Sequence, residues 1–259
     1  MKKYMQDFKI IQNRRITPDY FVLELECPEI LPEILPGQFA EVRVDHSPQT
    51  YLRRPISIYD VDYRSNRLKL LIKKVGIGSA KLFDLTKGLT LNLIYPLGNS
   101  FSLPEGNKVL LVGGGVGCAP LLLLAKQLNS KGVIVHALIG GRTDRDIVDV
   151  EKFSTYCKSV YITTDDGSLG EMGMVTQHSL FADEVLDYSK IYSCGPDAMM
   201  RAIARLATFK GIDCEVSLEN LMACGIGACL CCIVETSEGN KTTCVQGPVF
   251  NIRDLKGWS

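Results

Sequence analysis

VLLVGGGVGCAPLLLLAKQL, from Val109 to Leu128, is the most apolar stretch of the chain. Three consecutive glycines, Gly113, Gly114 and Gly115, cut it, and Lys126 sits in its last turn, so it reads as strand, loop and buried helix and not as a membrane span. Pro120 fits a helix start, because the first turn does not need its missing N–H. Downstream the pattern recurs. VIVHALIGG, SVYITTDDG and KIYSCGP are apolar strands that end in Gly-rich or polar loops, and they alternate with helices predicted over Ala119–Gln127, after Asp146 and over Asp197–Phe209. This alternation predicts a doubly wound α/β domain with a parallel sheet. Ligands of such sheets bind beyond the carboxyl ends of the strands, where GGGVG, TDDGS and CGP fall.

Upstream, FKIIQNRRI, YFVLELE, QFAEVRV, PISIYDV, RLKLLIKKV and LTLNLIYPL are short runs of β-branched and aromatic residues separated by turns. They predict an antiparallel barrel or sandwich. From about Cys214 the chain becomes cysteine-dense and irregular. The expected division is an all-β domain over 1–102, an α/β domain over 103–212 and a small cysteine module over 213–259.

The chain has 259 residues, 29 basic and 29 acidic side chains, and zero formal net charge. No global field then favours nucleic acid or an anionic membrane. MKKYMQDFKI has no apolar segment behind its lysines, which argues against a secretory signal and for the cytoplasm. Five of the ten cysteines fall between Cys224 and Cys244, and in a reducing compartment such clustering points to a metal site. Cys224, Cys229 and Cys232 have the spacing Cx4CxxC, and Cys244 follows twelve positions after Cys232. Plant-type [2Fe–2S] ligation uses this spacing. Gly225 and Gly227 suit a loop that wraps a cluster closely. Zinc, which usually wants paired CxxC motifs, is the alternative, and Cys231 is a rival to Cys232. Cys27, Cys118, Cys157, Cys194 and Cys214 read as small core residues.

TYLRRPISIYD places Arg54 and Ser57 on a strand, where Arg54 can clamp a pyrophosphate; an ordinary surface arginine pair beside an edge-strand proline is the other reading. KKVGIGSAKLFDL breaks at Gly76 and Gly78 and begins a helix near Ser79, giving free N–H groups that suit phosphate. GGGVG follows a strand and opens a helix as a dinucleotide loop does, although no acidic residue ends the next strand, which runs into Arg142. Arg142 leaves NAD and NADP both open. His46, His136 and His178 are scattered and read as core or surface residues, and no nucleophile triad or paired acid–base carboxylates are present.

RRPIS, VGIGS, PLGNSF, GGGVGCAPL, TTDDGSLG and CGP, in this order, resemble the ferredoxin–NADP reductase superfamily. SLENLMACGIGACLCC followed by CVQGPVF narrows the resemblance to the electron-transfer subunits of dihydroorotate dehydrogenase B. The resemblance implies an FAD-binding barrel, an NAD-binding domain and a C-terminal [2Fe–2S] domain. It implies that Arg54, Pro55, Ile56, Ser57, Ile72 and Lys73 contact FAD and that Gly78 and Ser79 hold its phosphates. Gly113, Gly114, Gly115, Gly117, Asp166, Cys194, Gly195 and Pro196 would flank NAD. Cys224, Cys229, Cys232 and Cys244 would hold the cluster. One departure is Ile56, where the wider superfamily places tyrosine. The resemblance further implies a partner, an FMN-containing catalytic subunit, in a heterotetramer of two subunits of each kind. The rival within the same architecture is the small subunit of a ferredoxin–NADP reductase, sulfhydrogenase or sulfite reductase; a zinc-stabilised interaction protein is the rival from another class.

Overall fold

A computed structural model describes residues 2–45, 49–183 and 185–258; His46 lies outside the described residues. The first six strands are β1 (Tyr4–Arg15), β2 (Tyr20–Glu26), β3 (Phe39–Val42), β4 (Arg54–Asp62), β5 (Arg67–Lys73) and β6 (Thr90–Leu97). They close into a barrel in the order β1-β2-β5-β4-β3-β6, every pair antiparallel. Closure through β1 and β6 decides for the barrel over the sandwich and leaves no open edge. Period-two alternation turns Phe21, Leu23 and Leu25 into the barrel core, while Tyr20 and Val22 on the other face of β2 pack against the second domain. Both faces of this strand are therefore covered.

Helix α1 (Ile77–Phe83) begins two residues before the expected start at Ser79. The reason is local: the Ser79 hydroxyl accepts the N–H groups of Val75 and Gly76 and closes the turn that leads in.

The second domain runs β7 (Lys108–Gly114), α2 (Ala119–Ser130), β8 (Ile134–Gly141), α3 (Val150–Tyr156), β9 (Ser159–Thr164), β10 (Glu171–Met172), β11 (Lys190–Cys194), α4 (Asp197–Lys210) and β12 (Asp213–Ser217). A hairpin of β13 (Ile233–Thr236) and β14 (Gly239–Thr242) follows, and β15 (Val249–Asn251) returns to pair with β12. The sheet order is β10-β9-β8-β7-β11-β12-β15, parallel except for β15. Strand order reverses between β7 and β11, the position where such sheets bind ligands. The cysteine-rich stretch shares its first and last strands with this sheet and folds the remainder over the sheet's end.

Helix α2 is buried from Ala119 to Ala125 because it lies between sheet and barrel, and Lys126 reaches Asp60 at 2.8 Å and the Val61 carbonyl at 2.9 Å. Asp149 also joins the domains, accepting from Arg14 Nη2 at 2.8 Å and Tyr59 Oη at 2.9 Å. At the other end of the sheet Lys190 lies 2.9 Å from both Asp213 and Glu215 and 2.6 Å from Ser102 Oγ. No helix among the described residues is long and apolar enough to cross a membrane.

Candidate functional site

A recess of about 510 Å3 opens where barrel, sheet and cysteine segment meet. Its walls are Phe39, Pro55, Ser57, Leu71, Lys73 and Val75 of the barrel, Val116, Ala119, Cys194 and Ser217 at the sheet's carboxyl edge, and Leu218 to Met222 with Pro248 from the cysteine segment. The volume and the mostly apolar wall suit a planar aromatic ligand. Strand alternation decides which expected flavin residues face it. Pro55, Ser57 and Lys73 do; Ile56 packs on the barrel core and Ile72 is 2% exposed inside it, and neither is part of the recess wall. Arg54 donates to the carbonyls of Leu52 and Arg53, and its Nε stands 2.7 Å from where a Cβ at Gly78 would be. The arginine and the VGIGS turn are neighbours, and only glycine leaves the guanidinium this place.

The glycine loop and the CGP turn meet backbone to backbone. A Cβ on Gly117 would lie 2.4 Å from the Cys194 carbonyl oxygen, and one on Gly114 would lie 2.8 Å from Pro196 Cδ. Gly113 and Gly114 end β7, Gly115 takes φ +54, and Gly117 closes the turn before α2. Asp166 stands beyond β9 at the same sheet edge and accepts from the N–H and hydroxyl of Ser168, whose hydroxyl also accepts from the N–H of Asp144. These Ser168 bonds hold the Asp166 carboxyl below the usual carboxylate range. Arg142 is exposed beside it.

The cysteines form two pairs. Cys224 lies beside Cys229 and Cys232 beside Cys244, with the Cys244 N–H donating to Cys232 Sγ at 3.4 Å. Burial works to raise the Cys224 pKa, but the N–H groups of Ile226, Cys229 and Ala228 outweigh it and bring the thiol to about 6. Burial and the Cys232 contact push Cys244 up to about 12, opposed by the N–H of Gly227. Successive N–H groups of one loop thus face sulfur, as a nest around an anionic cluster must. Among the described residues no group of three or more His, Cys, Asp or Glu side chains surrounds a point for a single ion. Cys224, Cys229, Cys232 and Cys244 are the thiolate donors that would hold a [2Fe–2S] cluster, with the loop N–H groups facing their sulfurs. Cys231 is exposed and faces the Leu221 carbonyl at 3.6 Å, whereas Cys232 is buried. The five cysteines read as core residues are all buried.

Four further residues carry no local mark in the sequence. Phe39 and Met222 line the recess and also pack with Cys232 and Cys244. Glu41 is fully buried against Gly225, its two carboxylate oxygens without a hydrogen-bond partner among the described residues. Desolvation pushes its pKa up to about 7 against the opposing pull of Arg53. Glu219 opens onto the recess, but the protein crowding it raises its carboxyl pKa by desolvation.

A closed antiparallel barrel docked on a doubly wound sheet, with a recess between them, defines the ferredoxin–NADP reductase architecture, here with a cysteine module added. The profile of the iron–sulfur cluster binding domain of dihydroorotate dehydrogenase B matches residues 219–256, and that of the oxidoreductase NAD-binding domain matches residues 111–205. The dihydroorotate dehydrogenase B (NAD(+)) electron transfer subunit of Desulforamulus reducens is 37% identical over 94% of this chain and 95% of its own length. That of Fusobacterium nucleatum is 33% identical over 97% and 98%. Among solved structures, an NADH-dependent reduced ferredoxin–NADP oxidoreductase superposes with a TM-score of 0.85 at 31% identity, over 94% of this chain and 87% of that one. The ferredoxin reductase of carbazole 1,9a-dioxygenase gives a TM-score of 0.71 at 26% identity, over 82% and 67%. The chain belongs to the family of dihydroorotate dehydrogenase B electron transfer subunits.

Proposed function

We propose that this chain carries electrons from an FMN-containing subunit that oxidises dihydroorotate to orotate, delivering them to NAD+ in the cytoplasm as half of a two-plus-two heterotetramer. The observation that carries this reading is the shared wall: Phe39 and Met222 touch both the recess and the buried Cys232–Cys244 pair. A one-electron site and a ligand recess separated by single side chains are what such a relay requires. When bound, FAD supplies exchange between hydride and single electrons, and a [2Fe–2S] cluster supplies the one-electron steps.

The chain's own groups bind and orient. Cys224, Cys229, Cys232 and Cys244 would hold the cluster. Pro55, Ser57 and Lys73 face the flavin, and Arg54 with the N–H groups at Gly78 and Ser79 takes its phosphates; the Ser79 hydroxyl is already committed to its own turn. Gly113 to Gly117, the Cys194–Pro196 turn and Asp166 receive NAD at the sheet edge. Cys229 is exposed, and so are Leu221, Ile226, Leu230 and Val245 around it, an apolar collar suited to the partner subunit.

Co-expression with the FMN subunit is expected to give a complex holding FAD and about two irons per electron-transfer chain. Dihydroorotate should then drive NADH formation. A complex that reduces NAD(P)+ from ferredoxin but not from dihydroorotate would place the chain in the rival branch. In the separate protein, Arg54→Ala is expected to weaken FAD binding by about 1.5–3 kcal/mol, the scale of lost charge-assisted bonds. Equal flavin affinity by equilibrium titration would remove Arg54 from the site.

A further inference from the structure

The turn after β8 carries a carboxylate that joins three elements and that the relay described above does not use. Thr143 caps the turn by accepting the N–H of Arg145, and the short helical segment Asp144–Asp146 then aims Asp146 back at the barrel. Asp146 Oδ1 accepts from Tyr20 Oη of β2 at 2.7 Å and from Lys73 Nζ of β5 at 2.8 Å. Its Oδ2 accepts from the backbone N–H of Arg142 at 3.3 Å. Tyr20 and Lys73 are paired across the β2–β5 ladder, and the ammonium lies 4.9 Å from the centre of the tyrosine ring.

Each partner touches something the reaction needs. Lys73 lines the flavin recess. Tyr20 is 1% exposed, and its hydroxyl stands 3.1 Å from where a Cβ at Gly115 would be, directly under the glycine loop. Arg142 begins the loop that faces Asp166 at the other end of the sheet edge. One carboxylate therefore links the flavin wall to both loops that would cradle the dinucleotide. Partial desolvation acts to protonate Asp146, but Lys73 and Tyr20 outweigh it and hold its pKa below the ordinary value, so it is ionised at neutral pH.

We propose that Asp146 is a positioning residue for hydride transfer: through Tyr20, Lys73 and the Arg142 N–H it fixes the dinucleotide loops against the flavin wall. The proposal rests on the reading of the recess as the flavin site and of the sheet edge as the NAD site. Hydride transfer is sensitive to such placement, because small errors in donor–acceptor approach cost large factors in rate. Asp146 touches neither Phe39 nor Met222, which stand between the recess and the cysteines, so electron exit should not depend on it.

The test uses the FAD- and cluster-loaded complex in stopped flow. Asp146→Asn keeps the shape but removes the charge that holds Lys73, and it is expected to slow flavin reduction at saturating NADH about tenfold. Flavin content should be retained, and reoxidation of dithionite-reduced flavin by a dye should match wild type. Tyr20→Phe, which removes only the hydroxyl, is expected to slow the same step several-fold and guards against misfolding of the first variant. Wild-type reduction rates in Tyr20→Phe together with either wild-type rates or flavin loss in Asp146→Asn overturn the proposal, as does slowing of dye reoxidation to the same extent as hydride transfer. Failure of NADH to reduce the wild-type flavin at all would instead sink the functional reading beneath it.

Discussion

Cys229→Ser is expected to abolish dihydroorotate-dependent NAD+ reduction while leaving NADH-driven dye reduction near wild type. Cys229 sits at the exposed side of the cysteine loop beside Cys224, and its N–H is one of those that lower the Cys224 pKa. A serine hydroxyl is a far poorer anionic donor to iron than a cysteine thiolate, so the cluster would lose one of the residues that hold it and would not be retained. Cys229 contributes nothing to the recess wall, and the residues that do are held by β3, β4, β5 and the sheet edge. The flavin therefore stays, and with it the exchange of reducing equivalents between NADH and an artificial acceptor. Iron and acid-labile sulfide assays, the flavin-to-protein ratio and the two activities measured on one preparation check this together. Cys231→Ser is the matched control, because that thiol turns towards the Leu221 carbonyl, and it should keep the full cluster. A full complement of iron in Cys229→Ser with loss in Cys231→Ser would exchange their roles.

The six barrel strands were legible because each carries its own period-two signal, and the α/β half because its strands end in glycine-rich loops. Whether the first half closes was not legible, since closure depends on β1 meeting β6 across some 80 residues, as in the pairing of Phe8 with Leu91. The iron–sulfur module over 219–256 was legible because its cysteine spacing is local from Cys224 to Cys232. Between Cys231 and Cys232 the spacing favours Cys232, and burial beside Phe39 and Cys244 adds a reason that the sequence does not carry. Ile56 and Ile72 show the same limit. Their strands were recognised, but which face meets the recess depends on register against neighbours. Glu41 in QFAEVRV and Tyr20 in YFVLELE look like ordinary strand residues. Their positions acquire meaning from Gly225 and Asp146, each more than 120 residues away in the chain.

Lys190→Met is expected to lower unfolding free energy by about 3–5 kcal/mol at pH 7, the usual result of removing one partner from a buried ionic group. Lys190 is 5% exposed, and its ammonium meets Asp213 and Glu215, both at 2.9 Å, and Ser102 Oγ at 2.6 Å. Methionine fills most of the volume but leaves two carboxylates two residues apart on β12 with no cation between them, while Ser102 keeps its bonds to Glu215. The pH dependence distinguishes this cause from simple loss of packing. Desolvation acts to raise the Asp213 pKa, but hydrogen bonds from Asn251 and Lys190 outweigh it and depress the value. A depressed carboxylate contributes stability that is present above its unfolded pKa and is lost as pH falls through its folded one. The variant lacks the Lys190 share of that contribution, and its stranded charges are relieved by protonation. Wild type and variant should therefore differ most near pH 7 and converge below about pH 4, as read from urea unfolding at both values. A deficit of the same size at both would assign the loss to packing around the lysine stem. The lysine stands at the amino end of β11 and Cys194 at its carboxyl end, so folded variant recovered at neutral pH should still be reduced by NADH.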